Sequence, residues 1–227
     1  MKSRQRGFTL IEILVVISIL GVLMGLVSIL VLRAGSHKEK FQTEQVVRSI
    51  LPTAIERFKT FDNRYPPMDI KGLTRIRRFK GLTLSNDTNM CNEVLLVALR
   101  HPDLTSPLGD GDLPTDTPFG DTDQDSWNTT PDGSSEATGF EILDAWKNPI
   151  IYINKNHYKT PVRIVLDNGE EIEVYAAKKA EGQYYNPSSY QLISLGENAK
   201  QDAEMGSYGD PELVDDILNF TLEKNIE

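Results

Sequence analysis

Disulfides are the first thing this chain of 227 residues lacks: it has one cysteine, Cys91, so no intramolecular bridge can staple its fold. Cys91 sits between Met90 and Asn92, just before the apolar segment 94–99, and reads as a small buried hydrophobe. Histidine is scarce too. His37, His101 and His157 stand in unrelated contexts, which leaves the thiol without the base that nucleophilic catalysis needs. There is no pair of metal-spaced histidines, no G-x-S-x-G elbow and no phosphate-binding glycine loop. Lysine and arginine are missing from residues 101–146, which hold eleven acids: Asp103, Asp110, Asp112, Asp116, Asp121, Asp123, Asp125, Asp132, Glu136, Glu141 and Asp144. Charge of either sign is missing from Ile13 to Leu32, twenty residues that as a helix measure about 30 Å, one bilayer core.

What stands in front of that uncharged run gives it a direction. A basic leader (Lys2, Arg4, Arg6) precedes the junction Gly7-Phe8, and the apolar run from Phe8 to Leu32 is broken by one charge, Glu12. Basic residues on the leader side hold that end in the cytoplasm and send the remainder across the membrane. An ordinary secretory signal has a shorter apolar core ending in small residues. Here the small residue at the charge-to-apolar border is Gly7, so a cut there would remove the charges and keep the helix. The run Gly7-Phe8-Thr9-Leu10-Ile11-Glu12 resembles the prepilin cleavage and methylation motif of type IV pilins and type II secretion pseudopilins. The resemblance implies a membrane-embedded aspartic peptidase that cuts after Gly7 and methylates the new amino terminus at Phe8. It also implies a partner for Glu12, the amino terminus of a neighbouring subunit or its own, where an unpaired carboxylate in a membrane helix would cost a few kcal/mol.

The balance of charge agrees with an exported, soluble remainder. The leader and Glu12 together account for +2 of the formal −9, so residues 33–227 carry −11. That excludes general nucleic-acid binding, which needs a basic footprint, and suits a self-repelling surface or one that takes up divalent cations.

Residues 33–61 are expected to continue the helix. Phe41, Val47, Ile50, Leu51, Ala54, Ile55 and Phe58 recur at steps of three and four as one buried stripe. Pro52 lacks an amide donor and should kink the helix near Arg48. The helix should stop near Asp62-Asn63, ahead of Tyr65-Pro66-Pro67, a passage similar to the helix end of secretion major pseudopilins; Tyr65 would then pack under the helix. Residues 69–80 carry five basic residues (Lys71, Arg75, Arg77, Arg78, Lys80) against Asp69, either a solvated face or a contact for the acidic strip of a neighbour. Residues 92–99 read as a short helix capped by Asn92. The stretch 102–139 reads as loop, with Trp127 as its anchor. Its Asp121-x-Asp123-x-Asp125 spacing invites calcium, yet Ser126 and Asp132 stand where an EF-hand needs Gly and Glu; a looser calcium site and a solvated acidic loop both remain.

Beyond residue 144 the pattern turns to strands: 150–153, a hairpin of 162–166 and 171–176 around Asn168-Gly169, and 190–195 ending at Gly196. Trp146-x-Asn148-Pro149, Ser194-Leu195-Gly196 and Asp215-Asp216-Ile217-x-Asn219-Phe220 resemble the three C-terminal landmarks of type II secretion major pseudopilins. In that family the closing loop binds calcium. By position the resemblance implies the Leu195 carbonyl, the side chain of Asn198, and Asp215 and Asp216 as ligands, with Asp202, Glu204 and Asp210 as substitutes within an extended loop.

The expected fold is α+β, type IV pilin-like. A long helix, half membrane and half amphipathic, packs on an antiparallel sheet of three to four strands, with a long acidic loop insertion. The expected divisions are a leader at 1–7, an assembly helix at 8–32, its amphipathic continuation at 33–61, a variable region at 62–144 and a sheet with a calcium loop at 145–227. The family resemblance implies a non-enzymatic filament subunit of a type II secretion pseudopilus. It would self-assemble with the help of the prepilin peptidase, a cytoplasmic assembly ATPase and an inner-membrane platform protein. A type IV or minor pilin is the alternative within the family. A membrane-anchored binding protein or enzyme is the alternative outside it.

Overall fold

A computed structural model describes residues 10–76, 79–84, 87–100, 104, 108, 112, 119–128, 136–138, 140–204, 206–208 and 214–222, with the backbone alone at 12, 26–37, 126–128, 136–138 and 204. The chain falls into two compact units, Met1–Glu39 and Lys40–Glu227.

Helix α1 (Leu10–Gln45) supplies the described part of the first unit. Its large apolar side chains from Leu10 to Met24 are 49–83% exposed within the chain, on every face of the helix. Among the described residues no helix is long and apolar enough to cross a membrane. The spanning segment expected over 8–32 runs at both ends onto residues, or side chains, outside the described set, as do Gly7, Phe8 and the side chain of Glu12.

In the second unit the expected stripe is buried from Val47 onward: Val47, Leu51, Ala54, Ile55 and Phe58 are at most 3% exposed and Ile50 is half-buried, while Val46, outside the expected set, is buried as well. Phe41 is a correction. It is 66% exposed, because it stands two residues, about 200°, round the helix from the buried Thr43. The irregularity expected at Arg48 is a π-helical turn, Val46–Ile50, closed by the Leu51 amide donating to the Val46 carbonyl. Pro52 cannot donate to the carbonyl four residues back, and the turn widens there. Arg48 Nε donates to the Leu218 carbonyl at 3.0 Å, tying this turn to the tail of the chain. Helix α2 (Leu51–Asp62) stops at Asn63, whose φ of 56° ends it in the left-handed region. Tyr65 then packs its ring edge-on against Tyr190, with centroids 5.3 Å apart, and its hydroxyl accepts from Lys59 at 2.8 Å.

After α3 (Ile70–Thr74) and β1 (Thr83–Leu84) comes α4 (Met90–Leu99), nearly all of it buried. Cys91 is 2% exposed and burial pushes its thiol up to about 12, as befits an inert core residue. Asn92 is no cap: it lies inside the helix, fully buried, and Asn89 holds the capping position in a left-handed conformation. The stretch expected as loop contains β2 (Phe119–Gly120), β3 (Ser126–Asn128) and β4 (Glu136–Thr138), followed by β5 (Glu141–Ile142). Pairs of two or three residues are too short to leave a periodic signal. They form a ladder β1-β3-β4 and a pair β2-β5. Trp127 is in β3, and its side chain is outside the described set.

The main sheet has three antiparallel strands, β6 (Ile151–Asn154), β9 (Tyr190–Ser194) and β12 (Ile217–Leu218), in the order β12-β9-β6. The expected hairpin, β7 (Val162–Val165) with β8 (Glu171–Val174), stands as its own two-stranded ladder, and the tail strand takes the place it was expected to fill. Gly169, with φ of 80°, makes its turn. A small pair, β10 (Ala203–Glu204) and β11 (Ser207–Tyr208), completes the order.

Candidate metal centre

Central strand β9 gathers all three C-terminal landmarks. Ser194 Oγ donates to Asp144 Oδ2 at 2.7 Å, while Asp144 Oδ1 accepts from the amides of Trp146 and Asn148, both at 2.9 Å, and so shapes the Trp-x-Asn-Pro turn. Burial pushes the Asp144 carboxyl up to about 6 despite these donors. On the other edge Ile217 pairs with Ser194, and Asn219 Oδ1 accepts from the Leu192 amide at 2.9 Å. The strand then turns sharply at Gly196, where φ is 65° and an added Cβ would stand 2.5 Å from the Asp215 carbonyl oxygen. Only glycine lets the loop close this tightly on Asp215.

Closure brings three carboxylates together. Asp202, Asp215 and Asp216 each offer an oxygen, all within 4.8 Å of one another. Asp202 Oδ2 accepts from the Asp215 amide at 2.7 Å, and Asp216 Oδ2 accepts from Tyr208 Oη at 2.7 Å and from the Asp202 amide at 3.2 Å. Asp216 Oδ1 is buried without a partner. Burial, and then the neighbouring acids, push Asp216 up to about 7. Asp215 is raised by burial and by Asp202 beside it; burial also acts on Asp202, but the hydrogen bonds it accepts bring it below the usual range. Three acids at this spacing with one orphaned buried oxygen form a donor set suited to a hard cation.

Of the residues named from sequence, Asp215 and Asp216 lie in this cluster, and Leu195 stands one residue beyond the Ser194–Ile217 pair. Asn198 lies beside it with its amide nitrogen inward, donating to Asp215 Oδ1 at 2.8 Å and Asp202 Oδ1 at 3.1 Å; its oxygen accepts from the Lys200 amide at 2.6 Å. Asp202, one of the substitutes, takes the third place. Asp210 and the side chain of Glu204 lie outside the described residues. The cluster's frame was not readable in the sequence: Tyr208 and Gln201 carry no motif, yet Gln201 holds Tyr175 by both its amide and its carbonyl.

Comparison with known proteins bears on the other end of the chain. Residues 2–28 match the prokaryotic N-terminal methylation motif. The N-terminal region is similar to proteins named type II secretion system core protein G. It is 49% identical over 65 residues to that of Pectobacterium carotovorum, covering 28% of this chain and 40% of the relative. It is 45% identical over 67 residues to that of Aeromonas hydrophila (29% and 45%) and 48% over 66 residues to that of Klebsiella pneumoniae (28% and 45%). The chain thus spans about two fifths of the length of these relatives. No solved structure gives a significant match.

Proposed function

We propose that this chain is a structural subunit of a type II secretion pseudopilus, anchored by its N-terminal helix and assembled through it into a filament that supports protein secretion. The observation that carries the reading is the methylation motif over residues 2–28, in which Gly7-Phe8 precedes Glu12 and a run of twenty uncharged residues. A helix with apolar side chains exposed on all faces cannot remain in water, and lipid and neighbouring helices are the two environments that would cover it. A prepilin peptidase would cut after Gly7 and methylate Phe8. Glu12 would meet the freed amine of a neighbour as the helix leaves lipid. An assembly ATPase and an inner-membrane platform protein would drive that transfer, and head-to-tail stacking of one surface on another yields an open fibre. The role is mechanical and calls for no catalytic group.

Calcium would be held by Asp202, Asp215 and Asp216, with the Leu195 carbonyl and Asn198 beside them. Its positive charge would neutralise three crowded carboxylates and fasten the closing loop to β9 and β12. The buried, unpartnered Asp216 Oδ1 supports this.

Exchange of Glu12 for Ala tests the assembly reading. The variant is expected to reach the membrane at normal abundance and to lose filament formation and secretion. Wild-type secretion by Glu12→Ala would contradict it.

A further inference from the structure

Five carboxylates meet at a second place, separate from the C-terminal loop. Glu93 comes from the first turn of α4, Glu141 from β5, and Asp121, Asp123 and Asp125 from the link between β2 and β3. Two asparagines just ahead of Glu93 clamp these elements together. Asn92 Oδ1 accepts from the Ile142 amide at 2.7 Å, and its Nδ2 donates to the carbonyls of Ile142 and Ile150. Asn89 Nδ2 donates to Glu141 Oε1 at 2.8 Å and to Thr122 Oγ1 at 2.7 Å. Glu93, Asp123 and Asp125 then bring oxygens within 4.8 Å of one another, and Asp121, Asp123 and Glu141 do the same, so Asp123 belongs to both sets.

The hydrogen bonding within the cluster is uneven. Glu141 is well supplied, accepting also from the Thr122 amide at 3.0 Å and from Thr122 Oγ1 at 3.1 Å. Glu93 is fully buried, and its carboxylate oxygens meet no donor group among the described residues; at hydrogen-bond range it faces another acid, Asp125. Both oxygens of Asp125, itself 6% exposed, are in the same position. A fold does not keep bare carboxylates inside unless something of opposite charge, or a proton, joins them. Burial and the facing Asp125 lift Glu93 far above the usual carboxylate range, and burial pushes Glu141 up to about 7.

We propose that Glu93, Asp121, Asp123, Asp125 and Glu141 form a second binding site, for a hard divalent cation of the calcium type. The donors are all carboxylate oxygens, with no nitrogen or sulfur that would favour zinc or copper. Calcium takes six to eight oxygens at about 2.3–2.6 Å, so oxygens within one shell lie up to about 5 Å apart, in keeping with the spacing within each set of three that shares Asp123. Magnesium prefers to keep several waters and uses one or two carboxylates, a poor match for five with Glu93 enclosed. Bound there, the ion would fasten the acidic link to α4 and β5. The site rests on its own geometry and is independent of the filament reading.

The test is calorimetric titration of the full chain in detergent micelles, stripped with chelator, with calcium chloride. Wild type, Glu93→Gln and a double variant Asp215→Asn/Asp216→Asn are compared. Glu93→Gln keeps the shape and stays neutral, as the buried Glu93 carboxyl itself does when no cation is bound, so its chelator-treated form should melt no lower than wild type. It should lose one calcium event with an affinity drop beyond the ~10–100-fold seen when support behind a ligand is lost. The double variant should retain that event. Calcium binding identical in wild type and Glu93→Gln would overturn the proposal, as would binding abolished altogether in the double variant. If Glu93→Gln does not fold, Asp123→Asn takes its place: loss of one calcium event supports the site, and binding identical to wild type overturns it.

Discussion

Asp144 shows how much one side chain can organise. Its two oxygens hold a turn on one side and the central strand on the other, and burial raises its carboxyl to about 6. A carboxyl that holds its proton more tightly when folded contributes stability that is complete below the unfolded value, near 3.8, and is lost as pH rises through about 6. Asp144→Asn keeps the acceptor for Trp146 and Asn148 and can donate to Ser194. Between pH 4 and 7 its unfolding free energy should therefore fall by on the order of 2–3 kcal/mol less than that of wild type, the share that this group contributes. Equal slopes in urea unfolding of the two proteins would contradict this.

At the scale of elements, the close turn at Gly196 joins β9 to the acidic loop. Gly196→Ala forces a left-handed alanine against the Asp215 carbonyl and should cost roughly 1–3 kcal/mol. It should also weaken the calcium binding proposed at Asp202, Asp215 and Asp216. Unchanged stability on denaturant titration would show that the loop closes less tightly. Elements with a long period were legible in sequence: the stripe from Val47 to Phe58, the stop at Asn63, the disturbed turn before Pro52 and the Asn168-Gly169 hairpin each follow from a local rule. What escaped depends on contacts far apart in the chain. Asn92 looks like a cap by its neighbours, yet its partners are 50 and 58 residues away. The two-residue strand β12 has no pattern of its own and exists because β9 offers it an edge. Glu93 reads as an ordinary helix acid until α4 is set against β5. The acidic spacing at 121–125 was visible, but its partners Glu93 and Glu141 were not.

For the whole molecule, the two units, Met1–Glu39 and Lys40–Glu227, call for opposite surroundings. One displays apolar side chains on every face; the other buries a closed core under an acidic surface. Such a chain is stable only where its first segment is covered, and the basic leader, the uncharged run and the acidic remainder would give the proposed membrane crossing one orientation. Everything about assembly depends on that segment being retained after processing. The most direct check is mass spectrometry of the chain recovered from membranes of cells that carry the secretion machinery. The account predicts a mature protein lacking residues 1–7 and beginning at N-methylated Phe8. An intact leader, or a cut beyond residue 30 that discards the apolar run, would contradict it.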